Sequence, residues 1–282
     1  MNLERLVAAL DPAEAHGNAD VDVVDLAYDA RAATRGSLFF CVPGTRADGH
    51  DFAPEAVERG AVALVVERLL PLAVVQVVVP DARAAMAPVA DAFFDRPTAE
   101  LDVAGVTGTS GKTTTSFLMF AILAAAGRRP GLLGTVEARI GGERRGVTRT
   151  TPEAIDLQRL FREMLDVGDR SCAMEASSHA SELHRLDCTR FAVLVFTNLS
   201  QDHLDFHGDM ESYFQAKRRL FLAEPRPRAV VNVGDEHGRR LADELPDAIT
   251  FSYETDADAL AAIDLKLRGR FNVENALGAL FA

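Results

Sequence analysis

A glycine-rich segment after an apolar, β-branched run constrains this chain more than any other feature. Residues 101–107 predict a strand, and residues 112–126 carry apolar side chains at helical spacing, with Gly127 placed to cap the helix end. The segment between them reads Gly108-Thr109-Ser110-Gly111-Lys112-Thr113-Thr114. A strand that enters a helix through such a turn points backbone N–H groups and the helix dipole at one place. That place suits a phosphate group.

The loop is a compact version of the common phosphate-binding pattern. The common form, G-x-x-x-x-G-K-[ST], requires a glycine where this chain has Val106. The alternative is a glycine- and threonine-rich turn without a ligand, but three successive threonines and the lysine at the helix start disfavour it. Lys112 is expected to reach the β- and γ-phosphates, and the hydroxyl of Thr113 to bind Mg²⁺.

Length and composition limit the class of protein. The chain has 282 residues, of which 48% are hydrophobic, so two domains with buried cores are expected. A net charge of −12 and a pI near 5.1 argue against a nucleic-acid partner, because phosphate backbones are bound by basic patches. No segment approaches the roughly 18 apolar residues of a membrane span, and no signal peptide is recognisable. We therefore expect a cytoplasmic protein with no membrane partner, whose scattered Cys41, Cys172 and Cys188 are reduced and buried.

Two α/β domains are predicted, with a boundary near residue 98. In the first domain, residues 1–98, strands are predicted at 38–42, 61–66 and 74–79 and helices at 53–59 and 82–94, before a linker at 95–98. In the second domain, residues 99–282, strands are predicted at 101–107, 131–135, 171–176, 191–198, 228–233 and 248–253, with helices between them. The predicted fold class is α/β, an N-terminal α/β domain followed by a P-loop domain on a mostly parallel sheet. Ligands bind such sheets at the C-terminal ends of the strands.

Polar residues follow two of these strands. A predicted glycine-rich hairpin leads to Thr150, Thr151 and Pro152, where Thr151 is a suitable helix N-cap and Pro152 a suitable first helical residue. Capping does not require Thr150, so a substrate contact is an equal alternative. Glu175 ends the strand at 171–176, where an unpaired buried carboxylate would be costly. Mg²⁺ beside the phosphate loop would pair with it, and an exposed turn is the alternative.

The strand at 191–198 is followed by a cluster of aspartates and histidines: Asp202, His203, Asp205 and His207. Zinc is disfavoured because no cysteine pair and no His-x₃-His spacing accompany them. An oxygen-rich site for Mg²⁺ and a nucleotide, with one histidine, is better supported.

The next predicted helix carries a lysine whose role the sequence leaves open. Asp209 is expected to cap this helix, which extends through Leu222 and places Tyr213 and Lys217 on one face. A helical lysine is ordinarily solvated. Only the nearness of Lys217 to the aspartate and histidine cluster argues for a functional role.

These motifs together resemble the Mur ligases of peptidoglycan synthesis. The resemblance is carried by Gly108-Thr109-Ser110-Gly111-Lys112-Thr113-Thr114, Glu175-x-Ser177-Ser178-His179 and Thr197-Asn198-Leu199-Ser200-x-Asp202-His203-Leu204-Asp205-x-His207-Gly208. It continues in order with Thr150-Thr151-Pro152, Lys217 and Arg270-Phe271-Asn272-Val273-x-Asn275. The set is most similar to the members that add the third amino acid, meso-diaminopimelate or lysine, to UDP-N-acetylmuramoyl-L-alanyl-D-glutamate.

The resemblance implies an ATP-dependent amide ligase that works through an acyl phosphate. One alternative is another ATP-dependent amide ligase, such as a folylpolyglutamate-synthase relative, which the Ser-Ser-His and Asp-His-Leu-Asp-x-His segments disfavour. A second is a non-catalytic remnant that binds nucleotide or UDP-sugar, which the intact phosphate loop and Lys217 disfavour.

The resemblance also implies roles for individual residues. Lys112, Lys217 and His203 would be catalytic, and Mg²⁺ would be bound by Thr113, Glu175, His203 and Lys217, the last as a carbamate. ATP would contact Gly108, Thr109, Ser110, Gly111, Lys112, Thr113, Thr114, Asn272 and Asn275. The UDP-muramoyl-dipeptide would contact Ala30, Thr45, Arg46, Ala47, Arg149, Thr150, Thr151, Ser177, Leu183 and Arg185.

Residues 1–98 resemble the uridine-binding domain of the family, with some departures. Ala30, Arg149, Leu183 and Gly234 replace the usual serine, asparagine, glutamine and aspartate. These changes weaken the implied substrate contacts more than they weaken ATP binding.

The family has a third, C-terminal domain that brings in the amino acid. The present sequence stops at Ala282 within a predicted helix, and residues 264–270 are shorter than in the family. We expect this domain to be absent from the 282 residues, which would then bind nucleotide as a monomer without forming the amide bond efficiently.

Overall fold

The computed structural model describes residues 1–10, 13–260 and 265–282. Asp264, part of the segment predicted to be short, lies outside these residues. The chain divides into two compact units. The first comprises Met1–Arg96 with two later segments, Glu153–Arg159 and Leu183–Cys188. The sequence indicated the division near residue 98 but assigned both later segments to the second domain.

The first unit contains five strands and three complete α-helices among the described residues. The strands are β1 (Glu14–His16), β2 (Asp25–Ala27), β3 (Ser37–Phe40), β4 (Ala63–Val66) and β5 (Val75–Val78). The helices are α1 (Leu3–Val7), α2 (Ala53–Glu58) and α3 (Met86–Phe93), with 3₁₀ turns at Ala30–Ala32 and Gly49–Phe52.

The sheet of the first unit has the order β1-β5-β4-β3-β2, and only β1 is antiparallel. The three predicted strands, β3 to β5, are confirmed, and their nearly continuous burial is typical of a parallel sheet covered on both faces. β1 and β2 were missed because they are three residues long and carry no apolar run. The helix predicted from residue 82 begins later, at Met86, because Asp81 accepts the N–H groups of Arg83 and Ala84 in a preceding turn.

The second unit contains the remaining eight strands found in the described residues. They are β6 (Asp102–Thr107), β7 (Pro130–Leu133), β8 (Ala138–Ile140), β9 (Glu143–Arg145), β10 (Ser171–Glu175), β11 (Phe191–Phe196), β12 (Arg228–Asn232) and β13 (Ile249–Phe251). The helices are α4 (Lys112–Ala125), α5 (Ala154–Asp166), α6 (Ser178–Glu182), α7 (Leu204–His207), α8 (Met210–Phe221), α9 (Glu236–Glu244), α10 (Tyr253–Asp256) and α11 (Arg270–Phe281). Two 3₁₀ turns lie at Pro97–Ala99 and Ala257–Leu260. The first residues of α5 are grouped with the first unit.

The sheet of the second unit has the order β13-β12-β11-β6-β10-β7-β8-β9. The first six strands are parallel and correspond to the six predicted strands, which are confirmed. β8 and β9 form the predicted glycine-rich hairpin, antiparallel at the sheet edge. The central strands β6, β10 and β11 are buried on both faces. Their C-terminal ends therefore meet at one edge, where a ligand is expected.

The burial of the cysteines and the length of the helices bear on two of the predictions. Cys41 and Cys172 are buried, as predicted, and burial raises the pKa of Cys41 to about 12 and that of Cys172 further. The prediction was wrong for Cys188, which is exposed and lies at a backbone φ of +61°. Within the described ranges, the helices are all too short or too polar to cross a bilayer.

A buried histidine fixes the turn that follows β3 in the first unit. His50 has no exposed side-chain surface, and its Nε2 accepts the N–H of Glu67 at 2.9 Å. Its Nδ1 must then carry the proton, which it donates to Asp48 at 2.6 Å. Asp48 also accepts the N–H of His50 and a guanidinium N–H of Arg68, each at 2.9 Å. These bonds, led by the backbone N–H of His50, lower the pKa of Asp48 to about 2.

We predict that Asp48→Asn lowers the free energy of unfolding by about 1–2 kcal/mol at pH 7, after allowing for partial solvent screening. The folded-state pKa of Asp48 is depressed, so its contribution is present above the unfolded pKa of about 3.9 and is lost as pH falls towards 2. Urea denaturation between pH 7 and pH 3 should show the two proteins converging. Asp51→Asn, an exposed aspartate in the same turn, is the control and should change little. A difference that does not vary with pH would contradict this account.

Candidate active site

The loop between β6 and α4 has a backbone that requires glycine at two positions. Gly108 has a φ of +149°, and Gly111, the N-cap of α4, has a φ of +90°. A Cβ atom on Gly108 would overlap the hydroxyl of Thr197, and one on Gly111 would overlap the side-chain oxygen of Asn275. Both glycines therefore allow a close approach as well as an unusual backbone angle.

The end of β11 holds this loop in place. The Thr197 hydroxyl donates to the carbonyl of Ser110 at 2.7 Å. The Asn198 side chain accepts the N–H of Ser110 at 3.0 Å and donates to its carbonyl at 3.2 Å, while the Asn198 carbonyl accepts the N–H of Thr109 at 2.9 Å. Neighbouring parallel strands thus fix the loop from one side. The roles of Thr197 and Asn198 could not be inferred from the motif that contains them.

Two lysine ammonium groups converge on one carbonyl oxygen of the loop. Lys112 Nζ donates to the carbonyls of Gly108 and Thr109, both at 2.9 Å. Lys217 Nζ, from α8, donates to the same Gly108 carbonyl at 2.9 Å. Among the residues that the structure describes, neither lysine forms an ion pair with a carboxylate. The two positive charges are held together by neutral oxygens.

Lys217 is almost completely buried, with 1% of its surface exposed. The ordinary expectation of a solvated helix lysine is therefore wrong here. The predicted cap is confirmed, because Asp209 accepts the N–H of Ser212 at 2.7 Å. The predicted shared face is confirmed as well: Lys217 Nζ lies 4.5 Å from the centre of the Tyr213 ring. That face of α8 points inward.

Burial and mutual repulsion act on the charge of both lysines. Burial, followed by the charge of Lys112, holds the pKa of Lys217 well below its usual range, although Asp202 opposes the shift. Burial also lowers the pKa of Lys112, against the opposing charges of Glu175 and Asp202. An anion placed beside these ammonium groups would relieve both effects.

Glu175 lies at the end of β10 with 1% of its surface exposed, so the alternative of an exposed turn is wrong. Its Oε1 accepts the N–H of Thr135 at 2.8 Å, and its Oε2 accepts the Thr135 hydroxyl at 3.1 Å. The Thr150 hydroxyl lies 3.0 Å from the same Thr135 hydroxyl. Thr135 was missed by sequence reasoning, because a single threonine after a strand carries no motif.

Thr151 does not cap α5, and this prediction was wrong. The helix begins at Ala154, beyond both Thr151 and Pro152. The Thr151 hydroxyl instead donates to the Glu175 carbonyl at 2.9 Å and accepts the N–H of Ser177 at 3.3 Å. Backbone groups at the end of β10 therefore compete successfully for the hydroxyl that capping would have used. The structure thus brings Thr150, Thr151, Ser177 and Glu175 together.

A group of aromatic rings surrounds His203. His203, the N-cap residue of α7, has a φ of +53°, and its side chain is 42% exposed. The His179 ring lies 4.8 Å from the His203 ring and stacks on Phe206 at 4.2 Å. His207 stacks on Tyr213 at 4.9 Å, and burial is the main cause that lowers the pKa of His207. Where the structure describes the chain, no three His, Cys, Asp or Glu side chains gather closely enough to hold a metal by themselves.

The two asparagines implied as nucleotide contacts lie at the start of α11. The side-chain oxygen of Asn275 faces Gly111 of the loop, and its amide nitrogen lies 3.4 Å from the Asn272 side-chain oxygen. The Asn272 amide donates to the carbonyl of Arg268 at 2.9 Å. The structure therefore brings Asn275 to the phosphate loop and Asn272 next to Asn275.

The other implied substrate contacts are divided between the two units. In the first unit Ala30 is buried, Leu183 and Arg185 are half-buried, and Thr45, Arg46 and Ala47 lie on an exposed turn. Arg185 Nη2 lies 2.9 Å from Glu153 Oε1. In the second unit Arg149 is exposed.

Ser110, Thr113 and Thr114 complete the loop at the start of α4. The Thr113 hydroxyl forms no hydrogen bond with the described residues.

Comparisons with known proteins identify the family. The model of the Mur ligase middle domain matches residues 106–282, and that of the Mur ligase family catalytic domain matches residues 23–95. All of the chain aligns with UDP-N-acetylmuramoyl-L-alanyl-D-glutamate--2,6-diaminopimelate ligases of Geobacter metallireducens, at 41% identity, and Geobacillus thermodenitrificans, at 43%. The chain spans 61% and 64% of the length of these two relatives.

Solved structures show the same fold at low sequence identity. One UDP-N-acetylmuramoyl-L-alanyl-D-glutamate--2,6-diaminopimelate ligase matches all of the chain and 63% of its own, with a TM-score of 0.81 at 23% identity. MurF from Acinetobacter baumannii matches 89% of the chain and 52% of its own, with a TM-score of 0.65 at 21% identity. A bifunctional folylpolyglutamate synthase/dihydrofolate synthase from Yersinia pestis matches 71% of the chain and 58% of its own, with a TM-score of 0.51 at 18% identity. Because a Mur ligase model matches more than half of the residues, the chain belongs to the Mur ligase family.

Proposed function

We propose that the second unit binds ATP with Mg²⁺ at the loop of residues 108–114. We propose further that the natural protein is an ATP-dependent ligase of peptidoglycan precursor synthesis, acting in the cytoplasm where ATP is supplied. It would add meso-diaminopimelate to UDP-N-acetylmuramoyl-L-alanyl-D-glutamate. The observation that carries the proposal is the convergence of Lys112 and Lys217 on the carbonyl oxygen of Gly108.

A triphosphate is the ligand that best fits this convergence. A half-buried and a buried ammonium group, Lys112 and Lys217, form a site with excess positive charge before Lys217 is modified, and desolvation makes that charge costly until an anion arrives. The loop N–H groups at the start of α4 and the helix dipole add a fixed positive potential at the same place. Asn275, which faces Gly111, and its neighbour Asn272 would contact the adenine nucleotide.

The residues present fit a Mg²⁺ ion that is partly held by phosphate. Thr113 offers a hydroxyl at the helix start and Glu175 a buried carboxylate, which are the oxygen ligands that Mg²⁺ prefers. Mg²⁺ at nucleotide sites commonly takes one or two protein ligands, with water and phosphate oxygens as the rest. His203 and a carbamate on Lys217 would complete the set. Bound Mg²⁺ would offset charge on the phosphates and on the substrate carboxylate.

The proposed reaction makes a poor electrophile reactive. The terminal carboxylate of the substrate attacks the γ-phosphorus of ATP, which forms an acyl phosphate and releases ADP. The incoming amine then attacks the acyl carbon, forms the amide bond and expels phosphate. Lys112 would hold the phosphates in line, Lys217 as its carbamate would bind Mg²⁺, and Thr150, Thr151, Ser177 and Arg185 would orient the substrate. The choice of diaminopimelate is supported by the names of relatives at 41–43% identity.

Replacement of Lys112 tests the nucleotide site. Lys112→Met should weaken ATP binding in the presence of Mg²⁺ by at least about tenfold, because a charge-assisted hydrogen bond is worth about 1.5–3 kcal/mol. Isothermal titration calorimetry would measure the dissociation constants. Lys266→Met, which changes an exposed lysine, is the control and should bind ATP as the original chain does. Equal ATP affinity in all three proteins would mean that the nucleotide binds elsewhere.

Labelling tests the proposed carbamate on Lys217. A lowered pKa leaves a larger fraction of the buried amine neutral, and the neutral amine attacks CO₂ to form an N–C bond with loss of one proton. Carbon-13 NMR in labelled bicarbonate should show one carbamate signal that disappears in Lys217→Ala and remains in Lys266→Met. Turnover of Lys217→Ala should be lost and partly restored by short carboxylates. A fully active enzyme with an unmodified Lys217 would refute this role.

A ligation assay on the complete gene product tests the function as a whole. With ATP, Mg²⁺, UDP-muramoyl-dipeptide and meso-diaminopimelate, we expect UDP-muramoyl-tripeptide and ADP in equal amounts, measured by mass spectrometry and a coupled assay. L-Lysine in place of diaminopimelate should be a much poorer substrate. Tight binding of the UDP-sugar without any phosphate release would support the non-catalytic remnant instead. Ligation of glutamate to a folate would support the folylpolyglutamate-synthase alternative.

A further inference from the structure

A buried carboxylate in the first unit, Glu153, is held by two arginines. Its side chain is 5% exposed and precedes α5, in a segment grouped with the first unit. Its Oε1 lies 2.9 Å from Nη2 of Arg185, and its Oε2 lies 3.1 Å from Nη1 of Arg83. Each carboxylate oxygen is therefore held by a guanidinium from a different part of the chain. Neither Glu153 nor Arg83 belongs to a residue set that the family resemblance implies.

The shielding of this group favours one orientation of the Arg185 side chain. Arg185 is 13% exposed and Arg83 is 23% exposed. Exposed ion pairs sample many geometries, whereas a buried charge must keep its partner because desolvation without one is costly. Glu153 is itself fixed on its second oxygen by Arg83, so it cannot follow Arg185 freely.

The backbone beside Arg185 is also restricted. His184, the preceding residue, has a φ of +57°, which is uncommon for a residue with a side chain. Its Nδ1 lies 2.7 Å from Asp187 Oδ2. This contact joins the residues on either side of Arg185 within one turn. The backbone of Arg185 is thus restrained by the neighbouring residues of the turn. Its guanidinium is oriented by the carboxylate of Glu153.

We propose that Glu153 is a positioning residue for substrate binding. Together with Arg83, it holds the Arg185 guanidinium so that another edge of it binds an anionic oxygen of the UDP-muramoyl-dipeptide. A guanidinium carries five N–H donors in a planar fork, so one arginine can bond a protein carboxylate and a ligand oxyanion together. The inference rests on the proposed function, which assigns Arg185 to the substrate. The oxyanion belongs either to the diphosphate or to a peptide carboxylate.

A matched control lies in the first turn of α5, directly after Glu153. Asp156 is a second carboxylate in the segment grouped with the first unit, and it accepts a hydrogen bond from the Tyr28 hydroxyl. Asp156→Asn removes a carboxylate that contacts a tyrosine rather than Arg185. If Glu153 only anchored this segment, the two substitutions would affect substrate binding in the same way.

The test is a double-mutant cycle on the complete gene product, read by calorimetry with UDP-muramoyl-dipeptide, UDP and ATP. Glu153→Gln should weaken binding of the UDP-muramoyl-dipeptide by about tenfold to a hundredfold, which is the range for one charge-assisted hydrogen bond. ATP binding should stay within about twofold. Glu153→Gln combined with Arg185→Met should bind no more weakly than Arg185→Met alone, because Glu153 acts through Arg185. Weakened binding of UDP as well would assign the oxyanion to the diphosphate, and unchanged UDP binding would assign it to the peptide.

Three results would overturn the inference. In the first, Glu153→Gln and Asp156→Asn weaken substrate binding equally, and in the second, the losses from Glu153→Gln and Arg185→Met simply add. In the third, Arg185→Met binds substrate as the unchanged protein does, which also removes Arg185 from the proposed function. Failure of the proposed function alone would appear as no binding of UDP-muramoyl-dipeptide by the unchanged protein, and the inference would fall with it. If circular dichroism shows that Glu153→Gln is unfolded, Glu153→Asp and Arg83→Met replace it in the cycle, with losses of about tenfold expected.

Discussion

The carbonyl oxygen of Gly108 is the point on which the geometry of the second unit depends. It accepts hydrogen bonds from Lys112 on the helix that follows the loop and from Lys217 on α8. It can do so only because Gly108 has a φ of +149° and lies too close to Thr197 for any side chain. The loop, the end of β11 and the buried face of α8 are therefore specified together. A change to any one of them would displace both ammonium groups.

Burial of Lys217 carries a desolvation cost, which other contacts of α8 partly offset. A buried ammonium group lacks most of its hydration, and here it receives one carbonyl and the face of Tyr213 in return. Tyr213 is fixed in turn, with its hydroxyl 3.1 Å from that of Thr109 in the loop. The N-cap at Asp209 stabilises the start of the helix by about 1 kcal/mol. Functional sites typically contain a charged group whose desolvation lowers the stability of the fold. The surrounding contacts hold that group in the position that its function requires.

The sequence predicted the sheets well and the burial of individual polar residues less well. The long apolar strands of both units are recognisable because burial on two faces leaves continuous β-branched runs. Helical spacing placed Tyr213 and Lys217 on one face, but it cannot tell which face packs inward when that face carries a lysine. Thr151 was misassigned as a cap because local patterns do not reveal a carbonyl more than twenty positions along, at Glu175. The grouping of residues 153–159 with the first unit is likewise set by tertiary contacts such as that between Tyr28 and Asp156.

An acidic chain with a net charge of −12 keeps buried and half-buried positive charge both as lysine and as arginine. Lys112 and Lys217 face neutral oxygens, and burial lowers the pKa of both, so loss of a proton can relieve the site when no anion is bound. Arginine has no such relief, because its guanidinium stays charged at any physiological pH. Arg83 and Arg185 therefore require a permanent counter-ion, and Glu153 supplies it. A lysine such as Lys112 suits the proposed nucleotide site, which would fill and empty in each cycle. Arginines around a fixed carboxylate suit a site whose geometry must be ready before the ligand arrives.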